Sequence, residues 1–399
     1  MTDQPDPLDF PLDRTSPLHP CPHYAKLRER ASLTEIRMPS GDPGLLATRY
    51  EDVRTVLSDA RFSRAATLED GAPRYGPAPQ KFKTLLNMDD PEHSRVRRLV
   101  SREFTVRRVA ALRPRIQQAT DRLLDEMAAQ GSTADLVQAL AFPLPVAMIC
   151  ELLGVPYEDR EQFAAWSDSF MAITARPVDE IVAAQIALYQ YLAGLIAAKR
   201  ARPGADLLSA LTRISDSDDG RLSEEELTFL GISLLLAGHE TTANQIGNSV
   251  LALLTHPDQL EILRKEPELM PNAVEELLRL FPPGDETLLR IALEDVEVGG
   301  TLVKAGQGVL PSPGSANRDD QHFEQAEVLD VRRRQVDHLT FGQGAHYCLG
   351  SGLARAELQI AIETLIRRFP TLRLDIPLAE VPRHTGRLVH GVSRLPVSW

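Results

Sequence analysis

The stretch FGQGAHYCLG, from Phe341 to Gly350, decides the fold, because it sets one cysteine among three glycines. Glycine adopts backbone conformations with positive φ and lets a chain approach a flat ligand closely. The residues that follow, SGLARAELQIAIETLIRRF, favour a helix over Leu349–Phe369. Cys348 is therefore expected at the N-terminus of a helix, where the dipole and free amide groups stabilise an anionic sulfur.

Four interpretations of Cys348 compete. A buried structural cysteine is the commonest fate of a lone thiol, but it does not need flanking glycines. A zinc site calls for further cysteines or histidines at short spacing, and His346 is the nearest one. A nucleophilic cysteine needs a histidine base and an orienting group, which the sequence neither shows locally nor excludes. The pattern favours the fourth interpretation, a thiolate ligand to a haem iron.

Composition and charge limit the class of protein. The chain has 399 residues, of which 43% are hydrophobic and 25% charged, as is typical of a globular protein. Its formal net charge of −12 makes general binding to nucleic acid or to an anionic membrane unfavourable. Three cysteines are too few for a disulfide framework.

The sequence predicts neither a signal peptide nor a membrane span. The N-terminus lacks the pattern of a signal peptide. The longest near-apolar run, taken as Gly231–Gly238, is far shorter than the ~20 residues of a membrane span. We therefore expect a soluble, cytoplasmic protein that does not contact membranes.

Hydrophobic periodicity predicts a mainly α protein with small β-sheets. A β-hairpin is expected from Leu33–Met38 and Leu45–Tyr50, joined by the turn PSGDPG. Short strands are expected at Val296–Val298 and Gly308–Leu310. The predicted helices are Val106–Ala129, Phe142–Leu153, Val178–Arg200, Glu224–Thr255 and Leu349–Phe369.

The helix predicted over Glu224–Thr255 is long enough, at ~1.5 Å per residue, to cross a whole domain. Ser223 and Glu226 form a capping box at its start. Its middle carries AGHETT, Ala237–Thr242, in which a glycine and a threonine hydroxyl together favour a local opening that could hold a small molecule such as O2. The His-Glu pair resembles the start of the zinc-protease pattern HExxH, but Ala243 stands at the position of the second histidine, so a zinc site is rejected.

The run from Phe341 to Gly350 resembles the haem-binding loop of the cytochrome P450 superfamily, Phe-Gly-x-Gly-x-His-x-Cys-x-Gly, at every fixed position. Glu276-Leu-Leu-Arg279 is similar to the ExxR pair that the family carries on a helix before that loop, where it braces the proximal side. The resemblance covers nearly the whole chain and is closest to the soluble bacterial members. It implies a cytochrome P450 fold with the long helix crossing beside the haem, and a single domain over residues 1–399 with an irregular N-terminal arm over residues 1–20.

The resemblance also implies which residues bind the cofactor, haem b. Cys348 would ligate the iron, and Phe341 and Gly342 of the same loop would lie beside the macrocycle. The two haem propionates need cations. The positions that match the family's propionate partners are His93, Arg97, Arg290 and His346.

On the long helix, the resemblance assigns the oxygen chemistry to AGHETT. Ala237 would contact the cofactor, Thr241 would hydrogen-bond dioxygen, and Glu240 would help to relay protons from solvent. Protonation of dioxygen and electron donation from the thiolate both favour cleavage of the O–O bond.

Basic residues near these elements could form one positive face on the acidic protein, although scattered solvated charges are nearly as good an interpretation. Such a face would suit acidic electron donors, and we expect a ferredoxin with its ferredoxin reductase. The protein itself is expected to be a monomer. The basic residues are Arg95, Arg98, Arg102, Arg107, Arg108 and Arg332–Arg334.

Substrate contacts are expected by resemblance in five segments. These are Thr67–Leu86, Phe163–Val182, Leu234–Thr241, Gly284–Leu289 and His390–Val392. They mix apolar and polar side chains and so suggest a mostly hydrophobic molecule with a few polar groups. The side chains considered are Phe163, Phe170, Met171, Leu288, Leu289, Asp285 and Glu286.

The sequence thus predicts a haem-dependent monooxygenase that inserts one oxygen atom from O2 into such a molecule. By analogy with soluble bacterial relatives, we expect a tailoring hydroxylation or epoxidation in the biosynthesis of a polyketide, terpene or peptide antibiotic. One alternative uses the same oxidant for desaturation, oxidative coupling or ring formation. A second alternative is a non-catalytic haem sensor or carrier, and a haem-free helical scaffold is the third.

Overall fold

A computed structural model describes residues 7–12, 14–78, 82–217 and 222–399. Helices account for most of its regular structure, as expected from the periodicity. The α-helices are α1 (His23–Arg30), α2 (Tyr50–Ser58), α3 (Glu92–Ser101), α4 (Val106–Ala129), α5 (Pro143–Leu153), α6 (Arg160–Phe170), α7 (Val178–Ala201), α8 (Leu207–Ser215), α9 (Glu224–Thr255), α10 (Pro257–Lys265), α11 (Met270–Leu280), α12 (Pro313–Ala316) and α13 (Ser351–Arg368). The strands are β1 (Leu8–Asp9), β2 (Leu33–Arg37), β3 (Pro43–Ala47), β4 (Phe62–Ser63), β5 (Thr133–Asp135), β6 (Arg290–Ala292), β7 (Val296–Val298), β8 (Thr301–Val303), β9 (Gly308–Pro311), β10 (Arg373–Leu374) and β11 (Pro396–Ser398).

The strands form small sheets beside the helices. One sheet has the order β1-β2-β3-β9-β6-β4, so it joins the first part of the chain to residues 290–311. The predicted hairpin is confirmed as the antiparallel pair β2–β3. The arm over residues 1–20, expected to be irregular, contributes a short strand, β1, which pairs in parallel with β2. Residues 1–6 and 13 of this arm lie outside the described residues.

Helix α9 has the predicted bounds and is buried along most of its length. The capping box is present: the hydroxyl of Ser223 accepts from the amide of Glu226 at 3.2 Å, and the carboxylate of Glu226 accepts from the amide of Ser223 at 2.8 Å. The helix ends at Thr255, and Pro257 begins α10. It packs against α5, α7, α11 and α13.

Helix α7 contains an apolar stretch that the sequence analysis underestimated. The residues from Ile181 to Ala198 carry no charge, which is a longer apolar run than Gly231–Gly238. By length and composition α7 could cross a membrane, and 28% of its most apolar 18-residue window is buried. Its side chains Leu188 and Leu192 belong to a core cluster with residues of α5 and α9, and this packing is that of a helix within a globular fold.

Candidate active site

The loop that contains Cys348 depends on two glycines. Gly342 has φ +73° and Gly344 has φ +72°, the left-handed region that glycine adopts without strain. Gly344 also lies against the end of α2, where an added Cβ atom would come within 2.9 Å of the carbonyl oxygen of Leu57 and 3.0 Å of the Cα atom of Ser58. The loop is therefore shaped by its own glycines and held close to α2.

The Cys348 side chain is exposed at the surface of this loop. Its amide donates to the carbonyl of Phe341 at 2.8 Å, which closes the loop. The following helix begins at Ser351, two residues later than predicted, so Leu349 and Gly350 separate Cys348 from its start. Protein surrounds the sulfur on its other sides, and this loss of hydration raises the pKa of the thiol, while the Gly350 amide and the Arg97 guanidinium act in the opposite direction.

One face of α9 is accessible although the helix is otherwise buried. Ala237 is exposed and Thr241, one turn later, is half-buried. The Thr241 hydroxyl donates to the Ala237 carbonyl at 2.8 Å. The helix remains continuous through this point, so the expected local opening does not interrupt it. Gly238 instead allows close packing, because a Cβ atom there would come within 2.5 Å of the Ile149 side chain.

Two ionisable side chains flank this face and are buried in the core. Burial raises the pKa of Glu240 to about 7. Burial also lowers the pKa of His239 to about 4, and its Nδ1 atom lies 2.7 Å from the Leu235 carbonyl while its Nε2 atom lacks a hydrogen-bond partner. The sequence analysis gave His239 no role, because its zinc interpretation failed and the burial of the ring is visible only in the fold.

Three of the predicted propionate partners lie together. The rings of His93 and His346 have centroids 4.3 Å apart. Among the described residues, neither ring nitrogen of buried His93 nor the Nε atom of buried Arg290 has a hydrogen-bond partner. Burial lowers the pKa of His346 to about 3, and the positive charges of Arg290, His93 and Arg64 add to this effect.

Arg64 belongs to this cationic cluster and was missed by the sequence analysis. It is 3% exposed, and its pKa is lowered to about 9 by burial and by the charge of Arg290. Its Nε atom donates to the Leu86 carbonyl at 2.8 Å. The cause is sheet pairing: β4 and β6 are antiparallel, and this brings Arg64 next to Arg290 from a distant part of the chain. No local signal in the sequence marks that pairing.

Arg97, the fourth predicted partner, approaches the cysteine loop from α3. Its Nη2 atom donates to the carbonyl of Tyr347 at 2.6 Å. Burial lowers its pKa, and the neighbouring Cys348 opposes that shift. The cluster of His93, His346, Arg290, Arg64 and Arg97 therefore brings three guanidinium groups and two imidazole rings close to the cysteine loop.

These side chains fit a haem. Buried donors without partners are costly unless a ligand completes their hydrogen bonds. Two carboxylates would supply acceptors for the ring nitrogens of His93 and for the Nε atom of Arg290. A thiol beside them offers the soft ligand that iron takes in haem-thiolate proteins. The donor set of this loop and cluster thus matches an iron porphyrin with two propionates.

The Glu276–Arg279 pair braces the chain before the cysteine loop. Both side chains are fully buried, and two hydrogen bonds of 2.7 and 2.9 Å join them. Arg279 also donates to the carbonyls of Asn317 and Ala326, each at 2.7 Å. Arg333 completes the network by donating to the Glu276 carboxylate at 3.0 Å.

Arg333 is therefore not part of a basic surface, contrary to the prediction for Arg332–Arg334. Several other basic residues of that set form ion pairs, which reduces the positive face. The pairs are Arg95–Glu226, Arg108–Glu103 and Arg332–Glu266. Arg98, Arg102 and Arg107 remain exposed.

The expected substrate contacts need correction at three positions, Phe163, Leu289 and Asp285. Residues 79–81 of the segment Thr67–Leu86 lie outside the described residues. Phe163 is 0% exposed and Leu289 is 5% exposed, so both are core side chains. Asp285 is 2% exposed and forms an ion pair with Arg14. Glu286 accepts a hydrogen bond from the Tyr24 hydroxyl, and burial raises its pKa to about 7.

Comparisons with known proteins agree with this geometry. A sequence model of the cytochrome P450 family matches residues 193–385. The chain is 48% identical to nocardicin C N-oxygenase of Nocardia uniformis subsp. tsuyamanensis and 44% identical to mycinamicin IV hydroxylase/epoxidase of Micromonospora griseorubida, over 99% of each pair of chains. Among solved structures, the putative thioether synthase SgvP, involved in the tailoring step of griseoviridin, has a TM-score of 0.95 and 44% identity, with 99% of this chain and 100% of that chain covered. These matches confirm the predicted fold, and the chain belongs to the cytochrome P450 family.

Proposed function

We propose that this cytochrome P450 monooxygenase carries haem b and inserts one oxygen atom from O2 into a mostly hydrophobic small molecule. The observation that carries the proposal is an accessible thiol, Cys348, near buried His93 and Arg290, whose ring nitrogens and Nε atom find no hydrogen-bond partner in the part of the chain that the structure describes. When bound, haem with a thiolate ligand supplies the activation of O2, the transfer of one oxygen atom to the substrate and the reduction of the other to water.

In this proposal Cys348 is the metal ligand. The cations that hold the propionates are His93, Arg97, Arg290 and His346, to which we add Arg64. Phe341 and Gly342 contact the macrocycle from the loop side, and Ala237 contacts it from α9. The support for Ala237 is its exposure in the middle of a buried helix.

Thr241 and Glu240 manage protons. The hydroxyl of Thr241 donates its hydrogen to the Ala237 carbonyl, which fixes the position of its oxygen, and that oxygen can still accept a hydrogen bond from a proton-carrying water. Glu240, with a pKa of about 7, exchanges a proton near neutral pH. Together they can pass protons to the accessible face of α9.

The substrate is proposed to be a natural-product intermediate of polyketide, terpene or peptide origin, modified by hydroxylation or epoxidation. The relatives named for oxidation of nocardicin and mycinamicin support this class. The half-buried apolar side chains of Phe170, Met171 and Leu288 support a mostly hydrophobic molecule.

Two alternatives differ in outcome. Desaturation, coupling or ring formation uses the same site, and the similarity to a putative thioether synthase favours keeping it as the runner-up. A haem sensor or carrier without turnover does not require an ionisable group such as Glu240 buried beside the accessible face, so this alternative is less well supported.

Electrons are proposed to come from a ferredoxin and its reductase. Val106, at the start of α4, is 89% exposed, and Arg102 and Arg107 are exposed beside it. Val109 of the same helix packs next to Gly352, close to the cysteine loop. An exposed apolar centre with basic neighbours suits an acidic protein partner. We further propose that residues 1–399 form a single domain that acts as a cytoplasmic monomer.

The test uses the haem-loaded protein with a ferredoxin system, isotopically labelled O2 and a panel of natural-product intermediates. A product that gains one labelled oxygen atom supports the proposal. Loss of two hydrogen atoms without gain of oxygen supports the runner-up. If ligands bind but O2 is never consumed, the sensor alternative is favoured, and a protein that takes up no haem contradicts all three.

A further inference from the structure

Asp285 is the centre of a buried ionic network outside the haem-binding residues. Its side chain is 3% exposed, and Arg14 binds both of its oxygens, with Nε to Oδ2 at 2.7 Å and Nη2 to Oδ1 at 2.5 Å. His390 approaches the same carboxylate at 3.5 Å, which is an ionic contact without hydrogen-bond geometry. Arg14 belongs to the N-terminal arm, so this network ties the arm to two distant segments.

The backbone of Asp285 is held as firmly as its side chain. Its carbonyl accepts from the Ser312 hydroxyl at 2.8 Å and from the Gly314 amide at 2.9 Å. A Cβ atom on Gly314 would come within 2.8 Å of the Cα atom of Asp285, so α12 packs directly against it. The Asp285 carboxylate is ionised, because Arg14 lowers its pKa below the usual range in spite of burial.

The segment that contains Asp285 connects the end of α11, which packs against α9, to Arg290 at the start of β6. It begins after α11, where the carbonyl of Pro282 lies 3.5 Å from the side-chain nitrogen of Asn248, and it ends at Arg290 of the cationic cluster. Because its two ends lie at α9 and at that cluster, residues 284–289 border the proposed haem site.

The segment 388–392 lies beside it. The His390 amide donates to the Pro283 carbonyl at 2.5 Å, and the His390 carbonyl accepts from Asn248 at 3.3 Å. Gly391 packs against Asn244, one turn beyond Glu240 on α9. The two segments are therefore joined to each other, and Asp285 joins both of them to Arg14.

We propose that Arg14 is a positioning residue that sets the shape of the substrate side of the site. Through Asp285 it holds residues 284–289 and 388–392 at the spacing that decides which molecules fit against α9. This inference rests on the proposed function, because it takes that face to be where substrate binds. A buried carboxylate that loses its guanidinium partner must be hydrated or protonated, and either change alters the contacts that hold the two segments.

The test compares two ligands of the haem-loaded protein by absorption spectroscopy. Imidazole is small, and its affinity depends on little besides the iron. Phenylimidazole also needs space between α9 and the segments 284–289 and 388–392. For Arg14→Gln we expect phenylimidazole to bind about tenfold more weakly and imidazole to change less than about twofold. Arg14→Lys keeps the positive charge, but a lysine cannot bind both carboxylate oxygens of Asp285 with two parallel N–H groups. Its loss of phenylimidazole affinity is therefore expected to be smaller than that of Arg14→Gln.

Arg37→Gln is the matched control, because Arg37 forms an exposed ion pair with Asp9 of the same arm. It should leave both affinities unchanged. If Arg14→Gln does not fold, the double variant Arg14→Gln/Asp285→Asn takes its place, since two neutral amides avoid an unpaired charge. The double variant is also expected to change the ratio of the two affinities, because the ionic fork is lost.

The inference is overturned if the ratio of the two affinities in the folded Arg14 variants equals that of the wild type. It is also overturned if both ligands weaken equally, because the effect is then a general loss of the haem site. A wild-type protein that gives no spectral change with imidazole contradicts the proposed function itself, so the two failures are distinguishable.

Discussion

Arg64 and Arg290 are buried neighbours on the antiparallel strands β4 and β6, although their charges repel. The register places Ser63 opposite Ile291, so the next pair brings the two guanidinium groups together. The charge of Arg290 contributes to lowering the pKa of Arg64. The carboxylate of Asp89 opposes the lowering of the pKa of both arginines and offsets part of this repulsion, and in the proposed function a haem propionate supplies further negative charge.

Replacement of Arg290 tests this relationship. Arg290→Gln removes one charged donor, and we expect haem affinity to fall about tenfold, which corresponds to one charge-assisted hydrogen bond. Haem transfer to an apo-globin measures the change. Arg61→Gln is the control, because Arg61 is exposed near the same strand and pairs with Asp59. Equal haem affinity in wild type and Arg290→Gln would contradict the assignment.

Thr241→Ala tests the proton assignment on α9. We expect product formed per O2 consumed to fall by about tenfold or more, because the positioned hydroxyl is lost. O2 uptake and the haem spectrum should persist, with hydrogen peroxide as the side product. Thr255→Ala is a matched control: its hydroxyl also donates to a carbonyl one turn earlier in α9, at 2.9 Å, far from the site. A Thr241→Ala variant that forms as much product per O2 consumed as the wild type would contradict the role of Thr241 in proton transfer.

Glu240→Gln tests a pH dependence of stability. The pKa of Glu240 is raised from 4.5 to about 7 by burial, so its neutral form is favoured in the fold. The stability that it contributes is fully present below pH 4.5 and is lost as the pH rises toward about 7, when the buried carboxylate must ionise. The Gln variant should therefore gain in unfolding free energy relative to wild type over this window, by at most roughly 3 kcal/mol.

Urea unfolding of both proteins at several pH values measures that difference. Comparison with Glu240→Gln is needed because Glu357, whose pKa burial raises to about 8, titrates in an overlapping range. A difference between the two proteins that does not vary with pH would show that folding does not raise the pKa of Glu240.

Glu276→Gln tests the buried brace. It leaves Arg279 and Arg333 without their carboxylate partner, and we expect a loss of about 3–5 kcal/mol in the free energy of unfolding. Glu261→Gln provides a control with the same spacing, because Glu261 and Arg264 form a partly exposed pair at 4.0 Å. That change should cost less than about 0.5 kcal/mol. Similar losses in both variants would contradict the special role of the buried pair.

The proposed ferredoxin surface is tested by Arg107→Glu. Charge reversal beside exposed Val106 should raise the ferredoxin concentration needed for half-maximal reduction severalfold at low salt, with little effect at high salt. Arg37→Glu, in an exposed ion pair on the N-terminal arm, is the control. Stopped-flow reduction of the iron measures the rate. Unchanged kinetics of reduction by ferredoxin in Arg107→Glu would show that ferredoxin does not bind at this surface.

Local sequence signals predicted the elements that depend on local interactions. The bounds of α9 followed from the capping box at Ser223 and from Pro257, and the loop around Cys348 followed from its glycines. The start of α13 was two residues in error, since Gly350 forms the cap. The AGHETT glycine was interpreted as an opening, whereas Gly238 makes room for Ile149.

Long-range contacts could not be predicted in the same way. Arg64 joins the cationic cluster through strand pairing, and Arg333 leaves the expected basic surface because it reaches Glu276. Asp285 was taken as a substrate contact, although Arg14, 271 positions away in the chain, neutralises it in the core. Such partners are set by tertiary packing, and one sequence carries no periodic signal for them.

The contact of Gly344 with Leu57 and Ser58 has a consequence for protein engineering. The cysteine loop fits the end of α2 with no room for a methyl group, although α2 supplies none of the proposed haem contacts. In chimaeras assembled from related enzymes, a crossover that takes α2 and the cysteine loop from different parents risks displacing the sulfur. Libraries built by recombination should therefore inherit residues 50–58 and 341–350 as one block.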